Sequence, residues 1–308
     1  MPVLMKRSPN ETNRGVKAHI RAQREQKERH ASALMSSCGN TKCKSSWLKI
    51  WRSRQSPIFE GKWACSQECM QQIVQAAIQR ESEGNSQRAL HQHRIPLGLI
   101  LLSRGIITQQ QLRKALEAQR KAGAGRLGEW LVRHKAADDS HIAQALSAQW
   151  NCPALASVPH DPAAMASAFP RVLMDAFGMV PLRMAGRKLL YVAFEDRIDR
   201  CLVLALERMS GLKVEAGVMR DSEFHRARAE ALRAAFPKTR LLEAANVRGL
   251  AHAFTAMIEE RRALYSQVVR IHDYFWLRLW RHPVPVEDER RLPGIDEVED
   301  MICSLTGV

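Results

Sequence analysis

Four cysteines fall within a 32-residue window, Cys38, Cys43, Cys65 and Cys69, while Cys152, Cys201 and Cys303 stand singly. In a reducing compartment thiols this close read as metal ligands before disulfides. Two pairs, Cys-x4-Cys and Cys-x3-Cys, separated by a hairpin-length segment would supply a closed four-thiolate site for structural Zn²⁺ with no position open to substrate. Such a centre sums to −2, and Lys42, Lys44 and Lys62 lie near enough in sequence to offset it. The alternatives are four unliganded thiols, or three ligands completed by a neighbour such as His30. The three single cysteines read as small buried apolar side chains.

The elements that must hold these thiols are legible around them. Trp47 to Trp51 has strand-like content, a turn with Pro57 follows, and Met70, Ile73, Val74, Ala77 and Ile78 form a helical stripe. Ser66 suits the N-cap of that helix. A knuckle, a hairpin and a cysteine pair opening a helix is a treble-clef-like layout. In front of it, residues 1–36 are basic and lack an apolar stripe, which predicts a mobile arm able to reach a phosphate-rich surface.

Further along, residues 96–119 align without gaps on residues 126–149. Identities fall at Leu97/Leu127, Gly98/Gly128, Leu101/Leu131, Ala115/Ala145, Leu116/Leu146, Ala118/Ala148 and Gln119/Gln149. Each copy reads as a short helix, a break and a second helix, with Thr108 and Asp139 as caps of the second helices. Two such hairpins can bury their apolar faces on each other with no ligand involved. Residues 150–236 mix periods and predict a small α/β unit. Its strands lie at Met179–Arg183, Lys188–Phe194 and Leu212–Val218, and its helices run from Ile198 to Met209 and from Ser222. Leu250, Phe254, Met257, Leu264 and Val268 give another helical stripe. Tyr274 to Trp280 is a dense aromatic strand or helix end, one set of side chains facing the core and the other a partner or neighbouring domain. The last 26 residues read as an acidic, proline-containing tail.

The Arg-Leu-Gly-x-x-Leu, Gly, Leu-x-x-Ala-Leu-x-x-Gln pattern of the two copies resembles the N-terminal domain of type II secretion and type IV pilus assembly ATPases, the GspE N-terminal or MshEN domain. Val180-Pro-Leu-Arg, Leu190-Tyr-Val-Ala-Phe-Glu-Asp and Ser210-Gly-Leu-Lys-Val look like its second subdomain, so the likeness spans roughly residues 94–235. The resemblance implies docking on a secretion or pilus component, and in some members binding of cyclic di-GMP. Carried over, the ligand candidates are Leu97, Gly98 and Gln119 in the first copy and Arg126, Leu127, Gly128 and Gln149 in the second. Two departures stand out: Pro96 occupies the place of the first Arg, and Lys135 the place of the second copy's Gly.

The remaining motifs point away from catalysis. Gly123-Ala-Gly125-Arg-Leu-Gly128 fits G-x-G-x-x-G but follows a helix, outside any βαβ unit. No Walker A run occurs, and His272-Asp273 lacks a second ligand set and reads as a helix end. The chain of 308 residues carries a formal charge of +15. Residues 1–90 hold 16 Lys/Arg against 7 Asp/Glu, which raises the odds of a polyanionic partner. No apolar run is long enough to span a bilayer, and the N-terminus lacks a signal-peptide core.

The expectation is therefore an α+β multidomain, cytoplasmic, non-catalytic protein. It comprises a basic arm (1–36), a zinc module (37–80), a tandem helical-hairpin bundle (94–152), an α/β subdomain (153–236) and a C-terminal helix with an aromatic and acidic tail (240–308). The function expected is that of an adaptor binding a protein partner of a secretion or pilus system, with degraded cyclic di-GMP sensing. The alternatives are a zinc-containing nucleic-acid-binding regulator that uses the arm, and a genuine cyclic di-GMP receptor.

Overall fold

The computed structural model describes residues 38–43, 57–84, 94–155, 161–186, 188–282 and 292–306. The basic arm, His30, Lys44, the Trp47–Trp51 segment and residues 85–93 lie outside the described residues. Helix α1 (Gln67–Gly84) continues past residue 80, the end expected for the zinc module. Glu81 is anchored there by two short bonds from Arg208, 2.6 and 2.7 Å.

A six-stranded sheet forms one layer. Its strands are β1 (Ile58–Phe59), β2 (Lys62–Trp63), β6 (Lys238–Ala244), β7 (Tyr265–Ile271), β8 (Tyr274–Trp280) and β9 (Val298–Leu305), in the order β2-β1-β7-β8-β9-β6. The hairpin β1–β2 joins it through Phe59, which pairs with Ser266 in parallel register. On one face α1 and α9 (Val247–Glu260) pack together, Val74 and Ile78 meeting Phe254, Ile258, Phe275 and Leu277 in one core. The stripe on α1 is too apolar for a 44-residue module to cover by itself. Consequently the segments expected separately as 37–80 and 240–308 share a sheet and a core.

The other face of that sheet meets the α/β unit. There β3 (Met179–Ala185), β4 (Leu189–Phe194) and β5 (Lys213–Val218) form a three-stranded sheet, β3–β4 antiparallel and β4–β5 parallel across α7 (Arg200–Ser210). Helices α6 (Arg171–Phe177) and α8 (Asp221–Ala231) complete it. Period-two alternation along β8 divides its side chains between the two cores. Phe275, Leu277 and Leu279 face α1 and α9, while Trp276 and Trp280 join the core of the α/β unit.

Three expectations fail here. The helical stripe expected from Leu250 to Val268 stops with α9 at Glu260; Leu264 lies beyond the helix and Val268 is in strand β7. His272-Asp273 is the turn of the β7–β8 hairpin rather than a helix end, with His272 in the left-handed region at φ 52°. The expected acidic tail contains strand β9, paired with both β8 and β6. Its acids are buried because they are matched. Asp300 receives Arg278 Nε and a second guanidinium nitrogen, both at 2.8 Å, and Trp276 Nε1 at 2.7 Å. Glu299, with a side chain 2% exposed, meets Arg281 at 2.8 Å, Arg261 at 3.2 Å and Arg240 at 3.4 Å.

The tandem copies form four helices: α2 (Leu97–Ser103), α3 (Gln109–Ala122), α4 (Leu127–Arg133) and α5 (Asp139–Trp150). Across copies, α2 lies on α5 and α3 on α4. Within each copy the motif glycine lets the paired helices approach closely. A Cβ on Gly98 would sit 2.8 Å from Leu112, and one on Gly128 2.9 Å from Ile142, the equivalent residue. The two closing glutamines also do equivalent work. Gln119 donates to the Gly125 carbonyl and Gln149 to the Ile95 carbonyl, each at 2.8 Å, so each copy clasps the residue preceding the other copy's motif.

The break between helices requires left-handed backbone in both copies, at Gly105 (φ 67°) and at Lys135 (φ 54°). A side chain there costs about 1–2 kcal/mol, partly offset by glycine's greater freedom in the unfolded chain. Lys135→Gly is therefore expected to stabilise the protein by about 0.5–1 kcal/mol, read as a rise of a few degrees in melting temperature.

Candidate metal centre and interdomain cleft

The four clustered cysteines converge. Their sulfurs all lie within 4.8 Å of one another, close enough to hold one metal ion. Cys43 Sγ and Cys69 Sγ are each 3.6 Å from Cys65 Sγ. A disulfide would require about 2.05 Å. Four thiolates about 2.3 Å from a tetrahedral metal stand about 3.8 Å apart, which these separations approach.

Local structure explains the convergence. Gly39 donates to the Trp63 carbonyl at 2.7 Å, tying the knuckle to β2. A Cβ at Gly39 would fall 2.6 Å from Lys62 Cβ, so the close approach requires glycine. Ser66 caps α1, accepting the Cys69 amide at 3.2 Å, and Cys69 sits in the first turn near the positive helix end. Asn40, between the first two cysteines, donates to Cys69 Sγ at 3.3 Å and to Gln72 at 2.8 Å. The Asn40 amide, ahead of the opposing effect of burial, pulls the Cys69 thiol down to about 7. Burial and then the neighbouring thiols push Cys65 up to about 12. Asn40 escaped the sequence reading; its only signal was its place inside the first Cys-x4-Cys.

A cleft of about 590 Å³ opens between the tandem bundle and the α/β unit. Five of the seven ligand candidates line it: Leu97, Arg126, Leu127, Gly128 and Gln149. Gly98 and Gln119 do not; the first packs under Leu112 and the second holds the loop at Gly125.

Arg126 is fully engaged across the cleft. Its guanidinium lies 2.5 Å from Glu129, 2.6 Å from Asp221 and 3.1 Å from Glu195. Burial opposes its charge, but these carboxylates win and raise its pKa. Arg126 in turn holds the Glu129 carboxyl below its usual range. Asp139, expected as a cap of α5, acts elsewhere: the N-cap of α5 is Asp138. Asp139 accepts the Asp221 and Ser222 amides at 3.2 and 3.0 Å and the Ser222 hydroxyl at 2.7 Å, serving the first turn of α8 in the neighbouring subdomain. Burial works against its ionised form, yet those donors lower its pKa overall. Arg94, two residues before Pro96, stacks 3.4 Å above the Trp150 ring and donates to the Gln149 carbonyl.

No family model matches the chain, and no curated protein matches it. Among solved structures, one of MshE with cdg is 24% identical, covers 44% of this chain and 99% of its own, and has a TM-score of 0.34. The N-terminal domain of XpsE is similar in two crystal forms, each 18% identical. One covers 44% of this chain and 92% of its own, TM-score 0.33; the other covers 48% and 99%, TM-score 0.27. Among the described residues no helix is long and apolar enough to cross a membrane.

Proposed function

We propose that this chain is a non-catalytic adaptor that binds a protein component of a type II secretion or type IV pilus-like system. Zn²⁺ on Cys38, Cys43, Cys65 and Cys69 would fix the knuckle and hairpin to the large sheet. The observation that supports binding rather than chemistry is the pairing inside the cleft. Arg126 spends its donors on three carboxylates, Asp139 spends its lone pairs on a helix terminus, and a four-thiolate metal has no open position. The tandem motif, Pro-Leu-Gly in the first copy and Arg-Leu-Gly in the second, supports the link to secretion and pilus motors. Interferometry against purified cytoplasmic domains of such an assembly platform tests this: saturable binding to one component is expected, and none across the set removes the reading.

Cyclic di-GMP binding is the second reading, favoured by Leu97, Arg126, Leu127, Gly128 and Gln149 sharing one cleft. A dinucleotide phosphate must displace carboxylates to reach Arg126, so calorimetry is expected to give weak or absent heat. Submicromolar binding lost in Arg126→Ala would put this reading first.

A further inference from the structure

We propose that the cleft between the tandem bundle and the α/β unit is the docking site for a short basic, apolar-flanked peptide segment of a partner protein. The proposal rests on the adaptor reading and names the chemistry of what that adaptor holds.

Charge is the first argument. The chain as a whole carries +15, yet the cleft is lined by five carboxylates, Glu129, Asp139, Glu195, Asp196 and Asp221, against three guanidiniums, Arg126, Arg133 and Arg197. The local sign is thus opposite to that of the molecule. Arg126 is shared among three carboxylates, and Asp139 takes its hydrogen bonds from neutral donors with Arg220 as its nearby cation, so the region around Arg126 keeps an excess of negative charge. Arg133 lies over the Trp130 ring at 4.4 Å, turned to an aromatic neighbour. Asp196 stands exposed at the edge together with Arg133 and Arg197, so the negative excess lies deeper, on half-buried Glu129, Asp139, Glu195 and Asp221. Complementary potentials of this kind choose partners and orient them more than they add raw affinity.

Shape and apolar lining are the second argument. The volume is that of a drug-sized ligand site. Its walls are predominantly apolar, with Leu127, Ile142, Leu146, Trp150 and Met219 contributing, and Val132 remains 37% exposed at the edge. Apolar walls with half-buried carboxylates set beside them fit an aliphatic or aromatic anchor flanked by Lys or Arg. Such a side chain lays its methylenes on the apolar walls and turns its charge toward the half-buried carboxylates.

The test is panning of a random dodecapeptide phage library on the full chain, followed by anisotropy titration of a labelled selected peptide. Enrichment of sequences with Lys or Arg beside an aliphatic or aromatic residue is expected. Asp196→Lys and Val132→Trp, both at exposed positions, are expected to melt as wild type does and to weaken the peptide by about tenfold or more. Asp196→Asn, which only removes the charge, should weaken it in the same direction by less. No enrichment, enrichment of acidic or uncharged sequences, or an affinity unmoved by these substitutions overturns the assignment. Displacement of the labelled peptide by a synthetic peptide of residues 1–37 at equal affinity also overturns it, giving the cleft to the chain's own basic segment. The interferometry against platform components is independent of this readout, so either reading can fail alone.

Discussion

Asp300→Ala is expected to destabilise the protein by about 3–5 kcal/mol, the usual result of stripping one partner from a buried ion pair. Asp300 and Arg278 are 0% and 1% exposed, in the middle of the six-stranded sheet. Removing the carboxylate strands the guanidinium, which would keep only the Ala168 carbonyl at 2.8 Å, and also orphans Trp276 Nε1. Domain stabilities of about 5–15 kcal/mol leave little margin for such a loss. Urea titration checks it, through a lower midpoint at unchanged slope. A double variant tells a registry device apart from a source of net stability. Arg278→Met with Asp300→Leu removes both charges at once and is expected to recover part of the loss. Recovery stays incomplete because the Trp276 Nε1 and the Ala168 carbonyl remain without partners, at about 1–3 kcal/mol each. Full loss in the double variant would contradict this account.

That network also marks where the sequence stopped being readable. The tandem hairpins were legible because each copy carries its own period and the copies check one another. The strands and helices between 179 and 231 were legible from local pattern, and all have counterparts in the structure. Strand β9 was not. Val298, Met301 and Ile302 are interrupted by Glu299 and Asp300, which mimic a solvated tail until Arg278 is known to pair with Asp300 and Arg240, Arg261 and Arg281 with Glu299. Arg126 shows the same limit from the other side. Its residue type suggested an anion donor, but the carboxylates that occupy it come from Glu195 and Asp221, separated in sequence and joined only by packing. Asp139 looked like a cap and is one, for α8 rather than for the helix it begins. Local rules predicted the types of interaction; the long-range partners decided which were made.

Loss of the metal is the second large effect, and its expected form is local rather than global. Purified protein should contain one Zn²⁺ per chain by elemental analysis. Cys69→Ser should abolish it, whereas Cys201→Ser, outside the cluster, should not. The four sulfurs are drawn together by the knuckle, the hairpin and the first turn of α1. Residues 38–43 hold on through the Gly39–Trp63 bond and the Asn40 contacts, and β1 joins the main sheet at the Phe59–Ser266 register pair, with Glu60 N donating to the Ser266 carbonyl, Ser266 Oγ to the Ile58 carbonyl, and Phe59 fully buried. Structural zinc contributes folding free energy outright, on the order of 10 kcal/mol in isolated fingers. Here most of that would be felt by the knuckle and hairpin. Helix α1 keeps its own hold, with Val74 and Ile78 fully buried against α9 and the sheet. Hydrogen exchange after chelation should therefore expose the Gly39 amide and the β1–β2 hairpin while β7, β8 and β9 stay protected. Exchange that spreads evenly through the sheet would mean the metal holds the entire layered unit. Unchanged protection on chelation would mean that the thiols cluster without holding an ion, and that the Asn40 and Ser66 contacts alone set the knuckle.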